Sequence, residues 1–499
     1  MARTDRGKSM SLRNGFSKGA RWLAAEFGVA TMRSAGRDVY ILILGRYLRL
    51  FAYGSVALIL AVYFEKLGFS DAQIGMFMTL TLLGDVVISL LLTLVADALG
   101  RRRTLLLGAT MMAVSGTVFA KTNNYIALLS AAIVGVISPS GNEIGPFRAV
   151  EESTLAHLVP EASRPDVFAW YVVLAVMGTS SGLVVGGVAI DKMQSLDGWT
   201  EIDAYRAIFW IYTGVGILKG LLTFFLSHQC EVGIEKDVIV QPVTVDPEHE
   251  PLLNERPTSP TPVSTPKTTS RRWWNPISSI SKKSRWILLK LCCLFFVDSL
   301  GSGMVPFSLI NFYMDRKFHL DKGRLGGIMS ATWFVSTIGN LFASSLAKRI
   351  GLIQAMVATH LPSSIFLALL PIPSGLSLTI CLLIARAILS SMDQAPRSAF
   401  LSLVVLPEER TAVMGVVNTL KTLSQSSGPW VTGVLAQHDR FWVAFIMAGS
   451  LKAGYDLGLL TFFAGKVHTK EKPTDVRAEE DGNGAVSDAD ATPNGREGH

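Results

Sequence analysis

The sequence predicts an all-α membrane protein: twelve membrane-spanning helices in two pseudo-symmetric six-helix bundles. Three observations carry this prediction. The 499-residue chain is 49% hydrophobic and 17% charged, with mean hydropathy +0.38, unlike an ordinary soluble domain. Its apolar runs exceed the ~18 residues that match a hydrocarbon layer about 30 Å thick. Landmarks of the first half also recur in the second, offset by about 250 positions. Tyr63, Glu65, Lys66 and Asp71 answer to Tyr313, Asp315, Arg316 and Asp321, and Glu143 and Pro146 to Asp393 and Pro396. After a slip of a few residues, Ser181, Gly182 and Gly187 answer to Ser427, Gly428 and Gly433.

In chain order, residues 1–38 form a basic, polar segment expected on the cytosolic side. It lacks a short apolar core with a cleavage site, so the first span is expected to serve as an uncleaved anchor. The first bundle, 39–227, holds spans at 39–65, 73–95, 104–121, 124–147, 168–190 and 204–227. The second, 286–465, holds spans at 286–313, 325–347, 352–373, 377–400, 412–436 and 440–464. Within hydrocarbon no water satisfies peptide groups, so each span is expected to be helical. Residues 228–285 form a cytosolic linker whose centre is rich in Ser, Thr and Pro (Pro257, Pro260, Pro262, Pro266). Too little apolar surface is available there to fold. Glu248 stands four residues before Leu252 and Leu253, the spacing of an acidic dileucine signal that a sorting adaptor would read, although so short a pattern also arises by chance. The tail, 466–499, is acidic and polar (Glu479, Glu480, Asp481, Asp488, Asp490) and is expected to be disordered.

A net charge of +7 would suit nucleic acid, but its placement argues otherwise. Arg101, Arg102, Arg103, Arg271, Arg272, Lys282, Lys283, Arg285, Lys348 and Arg349 all fall on one side of the predicted spans. This positive-inside bias puts both termini in the cytosol, with the basic clusters as anchors on anionic headgroups. The plasma membrane is the expected location, and the dileucine spacing leaves the vacuolar membrane as the alternative. Cys230, Cys292, Cys293 and Cys381 suggest neither a disulfide framework nor a metal site. No P-loop and no His-Glu-x-x-His occurs, so neither an ATP engine, a cofactor, a metal nor an enzyme is expected.

The loop between spans 2 and 3 carries Asp97, Gly100, Arg101, Arg102 and Arg103. Gly100 relieves a tight turn, and an acid within reach of arginines can bridge helix ends in one conformation and release them in another. Here the chain resembles the major facilitator superfamily, whose signature in this loop is Gly-x-x-x-Asp-Arg-x-Gly-Arg-Arg or Lys. Asp97, Gly100, Arg101 and Arg102 match it, while Thr93 and Ala98 replace its first Gly and first Arg. The second-half counterpart, with Lys348, Arg349 and Gly351, lacks the acid. The resemblance covers about residues 39–465. It implies a secondary transporter, and a latch in which Asp97 engages the ends of spans 4 and 11 in the outward-facing state. Asp97→Asn is therefore expected to slow transport without changing expression; wild-type rates in reconstituted vesicles would count against the latch.

Span 5 carries Gly178, Gly182, Gly186 and Gly187, and span 11 carries Gly428, Pro429 and Gly433. Small residues let helices approach where lipid supplies no hydrophobic drive. The span-5 run resembles the family's Gly-rich antiporter motif, except that Leu183 stands at its proline position. Close packing and an export-type hinge are both open readings.

Ionisable groups at membrane depth cost about 2.5–3.5 kcal/mol each at the bilayer centre. Span 1 has Arg46 and Arg49; span 7 has Asp298. The resemblance implies that spans 1 and 7 line the cavity, so Arg46 or Arg49 is expected to pair with Asp298 across the pseudo-axis, unless the arginines snorkel to the interface. Span 4 has Glu143, Pro146 and Arg148, followed by Glu151 and Glu152; span 10 has Arg386, Asp393, Pro396 and Arg397. An acid three residues before a proline sits at a weak point of the helix. It would either carry a coupling proton or pair with Arg148 and Arg397. Asp85 in span 2 is a rival proton carrier. Lys219, Lys290, Lys421, Lys452 and Asp456 read as interfacial or structural. Together these features point to a monomeric exporter of a metabolite or toxic compound, driven by proton antiport and resembling fungal exporters of the family. A nutrient importer or vacuolar carrier (amino acid, peptide or sugar) and a non-transporting receptor are the alternatives.

Overall fold

A computed structural model describes residues 29–135, 137, 146–231, 282–404 and 410–467. No strand occurs among them. The first half comprises α1 (Val29–Ser34), α2 (Arg37–Lys66), α3 (Asp71–Leu99), α4 (Arg101–Lys121), α5 (Tyr125–Gly135), α6 (Pro146–Leu158), α7 (Arg164–Gln194) and α8 (Glu201–Phe224). The second comprises α9 (Lys282–Met304), α10 (Phe307–Phe318), α11 (Lys322–Ile350), α12 (Leu352–Leu369), α13 (Leu376–Ser391), α14 (Gln394–Val404), α15 (Arg410–Gln437) and α16 (Phe441–Val467).

Three predicted spans are not continuous helices. Span 7 divides into α9 and α10 at Pro306, which caps α10 with extended backbone (φ −63, ψ 162); a proline has no N–H to continue the ladder. Span 10 divides at Met392 and Asp393, between α13 and α14. Span 4 becomes α5, ending at Gly135, and α6, opening on Pro146, with Glu143 outside the described residues. Proline at the first helical position loses nothing, because that N–H has no partner in any helix. Helix α6 then runs to Leu158, well beyond the predicted end of span 4 at 147.

Eight helices (α2, α3, α4, α7, α8, α9, α12 and α16) are long and apolar enough to cross a membrane by themselves, and α5 and α13 are shorter apolar helices. The long helices α11 and α15 fall below that standard. Helix α11 packs on α7 and α15 on α3, each in the other half.

Successive crossings alternate direction, so the start of α2, the end of α8, the start of α9 and the end of α16 share one end of the molecule, the near end. The α2–α3, α7–α8, α10–α11 and α15–α16 turns lie at the far end. The core divides accordingly. At the far end one cluster joins both halves, with Leu60, Phe64 and Phe77 from the first and Leu309, Phe312 and Phe445 from the second. Towards the near end each half closes on a core of its own. One is built on Leu42, Leu155 and Tyr171, the other on Phe295, Phe400 and Tyr455.

Two glycines show why the far halves can meet. A Cβ on Gly187 of α7 would land on the Lys322 carbonyl of α11, and one on Gly433 of α15 would crowd the Asp71 carbonyl and Gly75 of α3. Gly178, Gly182 and Gly186 face α2 instead, and Gly428 faces α9. Every predicted small residue of spans 5 and 11 thus abuts a neighbouring helix, as close packing requires. Pro429 lies inside α15, where its carbonyl faces Gly75.

Candidate functional site

Two buried charge networks, one in each half, occupy the positions that hydrocarbon would least tolerate. In the first half the hub is Glu151 on α6, 1% exposed. Its Oε2 accepts from Arg49 of α2 at 2.8 Å and from the Tyr171 hydroxyl of α7 at 2.9 Å. Its Oε1 accepts from Lys219 of α8 at 3.1 Å. The Arg46 guanidinium stacks 3.8 Å above the Tyr171 ring and stands 3.8 Å from Glu152, which also accepts from Arg148 at 2.7 Å. One carboxylate therefore ties four helices together.

The second half repeats the principle with the acid moved to its first helix. Asp298 of α9 is buried; its Oδ2 accepts from Arg397 of α14 at 2.8 Å and its Oδ1 from Lys452 of α16 at 2.9 Å. Arg397 also bonds Asp393 at the α13–α14 break and lies 5.2 Å from the Tyr455 ring centre. His360 of α12 sits 3.7 Å from Asp298 through Nε2 and 2.8 Å from Asp456 of α16 through Nδ1. In each half opposite charges pair where water is scarce, the condition under which buried ions persist.

These contacts correct two readings of the sequence. Arg46 and Arg49 do not pair with Asp298 across the axis; their described contacts lie within the first bundle. Of the two readings open for Lys219 and Lys452, interfacial or structural, the structural one fits: both are buried and each pairs with its half's hub. Glu151, read as lying beyond span 4, is a hub because α6 extends past Arg148. A signal for the lysines was present: Gly216 and Lys219 recur three apart in the last helix of the second half as Gly449 and Lys452. His360 had no comparable mark.

Asp85 is buried on α3, 3% exposed. Arg386 of α13 gives its backbone carbonyl to Ser363. Asp393 pairs with Arg397, the structural alternative for that acid, and its Oδ1 is buried without a partner. At the α3–α4 turn Gly100 has φ +87 and its repeat mate Gly351 φ +90, backbone that a side chain would strain. The Arg101 and Arg102 amides, free donors of a helix first turn, bond the Glu231 carboxylate at 2.8 and 3.1 Å. Cys230 beside it is buried, and burial pushes its thiol up to about 12, leaving it protonated and inert. The side chain of Asp97, and Leu252 with Leu253, lie outside the described residues.

A seal closes the far end. Arg316 of α10 reaches Asp71 of α3 at 2.8 Å. Asp191 of α7 caps α11 by accepting from the amides of Lys322 and Gly323 at 2.9 and 2.8 Å. The buried Asn311 amide donates to the Ala57 carbonyl at 2.9 Å, and the Trp430 amide to Thr79 at 3.0 Å. These bonds between the halves all lie in the far half of the molecule.

The profile of the Major Facilitator Superfamily matches residues 42–297 and again 291–488, once for each half. The chain belongs to this superfamily. It is a multi-pass membrane protein, and its family consists of transporters rather than enzymes. The chain is 33% identical over 441 residues to the uncharacterized membrane protein YJR124C of Saccharomyces cerevisiae, covering 87% of this chain and 95% of the yeast protein. A more distant relative is the quinolone resistance protein NorA of Staphylococcus aureus, 21% identical over 192 residues, 38% of this chain and 45% of NorA. Among solved structures, the nucleoside transporter NupG superposes with a TM-score of 0.62 at 14% identity, over 85% of this chain and 99% of NupG. That likeness establishes the superfamily fold of two six-helix bundles.

Proposed function

We propose that this superfamily member is a secondary active transporter that exports a small organic solute, a metabolite or toxic compound, in exchange for protons. The observation that carries the proposal is the division of the core: one shared cluster at the far end and a separate one for each half at the near end. Bundles joined at one end and independent at the other are half of an alternating-access cycle. The basic residues support a cytosolic near end, which turns the seal outward in this reading. Gly187 and Gly433 bring backbone against backbone at the seal, so the two halves meet there over a close, smooth contact. The likeness to NorA, named for drug resistance, supports export. Asp97 remains the proposed latch for the opposite state.

Metabolite profiling of yeast cells and medium, with and without the expressed chain, would supply the solute. Inverted membrane vesicles then test the mechanism. An acid interior is expected to drive accumulation of that solute, and collapsing the pH gradient to abolish it. Uptake unaffected by the gradient would refute proton coupling, movement with the protons would indicate import by symport, and no movement of any solute would indicate a receptor.

A further inference from the structure

Asp456 is 0% exposed, and His360 is its one ion partner among the described residues. Lys452, one turn earlier on α16, gives its ammonium to Asp298 instead. The Ser364 hydroxyl stands 3.4 Å away and also bonds the His360 carbonyl at 2.9 Å. The His360 ring, itself 3% exposed, points Nδ1 at both oxygens of Asp456, at 2.8 and 2.9 Å.

Two protonation states of this pair keep it neutral: imidazolium with carboxylate, or neutral imidazole with carboxylic acid. They differ only in which side of one hydrogen bond holds the proton. Removing that proton leaves a bare carboxylate beside neutral imidazole in a dry site, which burial strongly disfavours. We propose that His360 and Asp456 together form a proton-binding site of the second bundle. One proton is taken from water on binding and returned to water on release, and only an N–H or O–H bond is made or broken.

The surroundings give that proton a consequence. Asp298 faces Nε2 from α9 at 3.7 Å, and Lys452 and Tyr455 flank the pair on α16. Arg397 and Asp393 approach from the α13–α14 break. Arg386 lies behind Ser363 on α13, and Lys421 of α15 reaches the Phe295 ring at 5.2 Å. A charged His360 competes with Arg397 and Lys452 for Asp298; a neutral one releases it to them. Protonation thereby changes how firmly α9 is held to α14, at the helix break where bending costs least.

This deepens the proton-coupled reading and rests on it only for what the proton drives. The test uses the full-length purified protein in lipid nanodiscs with the proton as its sole ligand. Infrared difference spectra across a pH titration are expected to show a buried carboxyl or imidazolium signal that Asp456→Asn and His360→Gln each remove. Asp456→Glu should keep it at a shifted frequency, and Asp393→Asn should leave it in place. The same titration with a pH-indicating dye is expected to count one proton fewer per chain for either removing variant. An unaltered signal and proton count in folded Asp456→Asn or His360→Gln would overturn the site, as would the absence of the signal from the wild-type protein. If the signal behaves as expected but vesicle transport ignores the pH gradient, the site stands and the coupled reading falls.

Discussion

Asp298→Ala is expected to destabilise the purified protein by about 3–5 kcal/mol and to abolish transport. The carboxylate holds two cations, the half-buried Arg397 and the buried Lys452, at 2.8 and 2.9 Å. Removing it strands both, and charge stranded away from water costs far more than the pair itself contributed. Asp298→Asn, which keeps one acceptor oxygen but no charge, should lose less. Thermal unfolding of the three proteins in the same detergent checks this order. Equal midpoints would mean that water or lipid solvates the cations, and that the hub holds nothing together. The measurement also separates a structural role from a coupling one. A variant that folds at the wild-type midpoint yet changes the pH dependence of transport would place Asp298 in the proton path.

Gly187→Leu should act on conformation rather than folding. Its Cβ would occupy the position of the Lys322 carbonyl, so α7 and α11 could not close at the far end. Overpacking of this kind costs about 1–3 kcal/mol. Here the molecule can avoid it by parting its halves, which shifts the conformational equilibrium about 5–150-fold towards far-end opening. In a background without the four native cysteines, Ala57→Cys reports the outcome. Ala57 is 2% exposed and receives the Asn311 bond across the seal. A membrane-impermeant thiol reagent added at the far end should label it slowly in the parent and rapidly with Gly187→Leu. Equal labelling would show that the far end is not the moving gate.

Most of the architecture was legible in the chain. Predicted spans at 39–65, 104–121 and 440–464 correspond to α2, α4 and α16 within a few residues, because length and hydropathy are local properties that the bilayer reads directly. The breaks were only half legible. Pro306, Pro146 and Pro396 mark weak points, but a proline can equally sit inside a helix, as Pro362 and Pro429 do. The small residues of spans 5 and 11 were recognisable as contact faces, though not which helix each would meet. Gly186 and Gly187 are adjacent in sequence and face different bundles.

By itself, the sequence determined the number of crossings, the twofold repeat and the presence of charge at depth, since each follows from composition along the chain and from the price of ions in hydrocarbon. Only the tertiary structure decided the partners. Arg49 could have met Asp298 or Glu151, and Asp456 could have met Lys452 on its own helix rather than His360. Those choices depend on how each helix is rotated and how far α6 extends. Packing between residues about 100 positions apart sets both, and no local pattern encodes them.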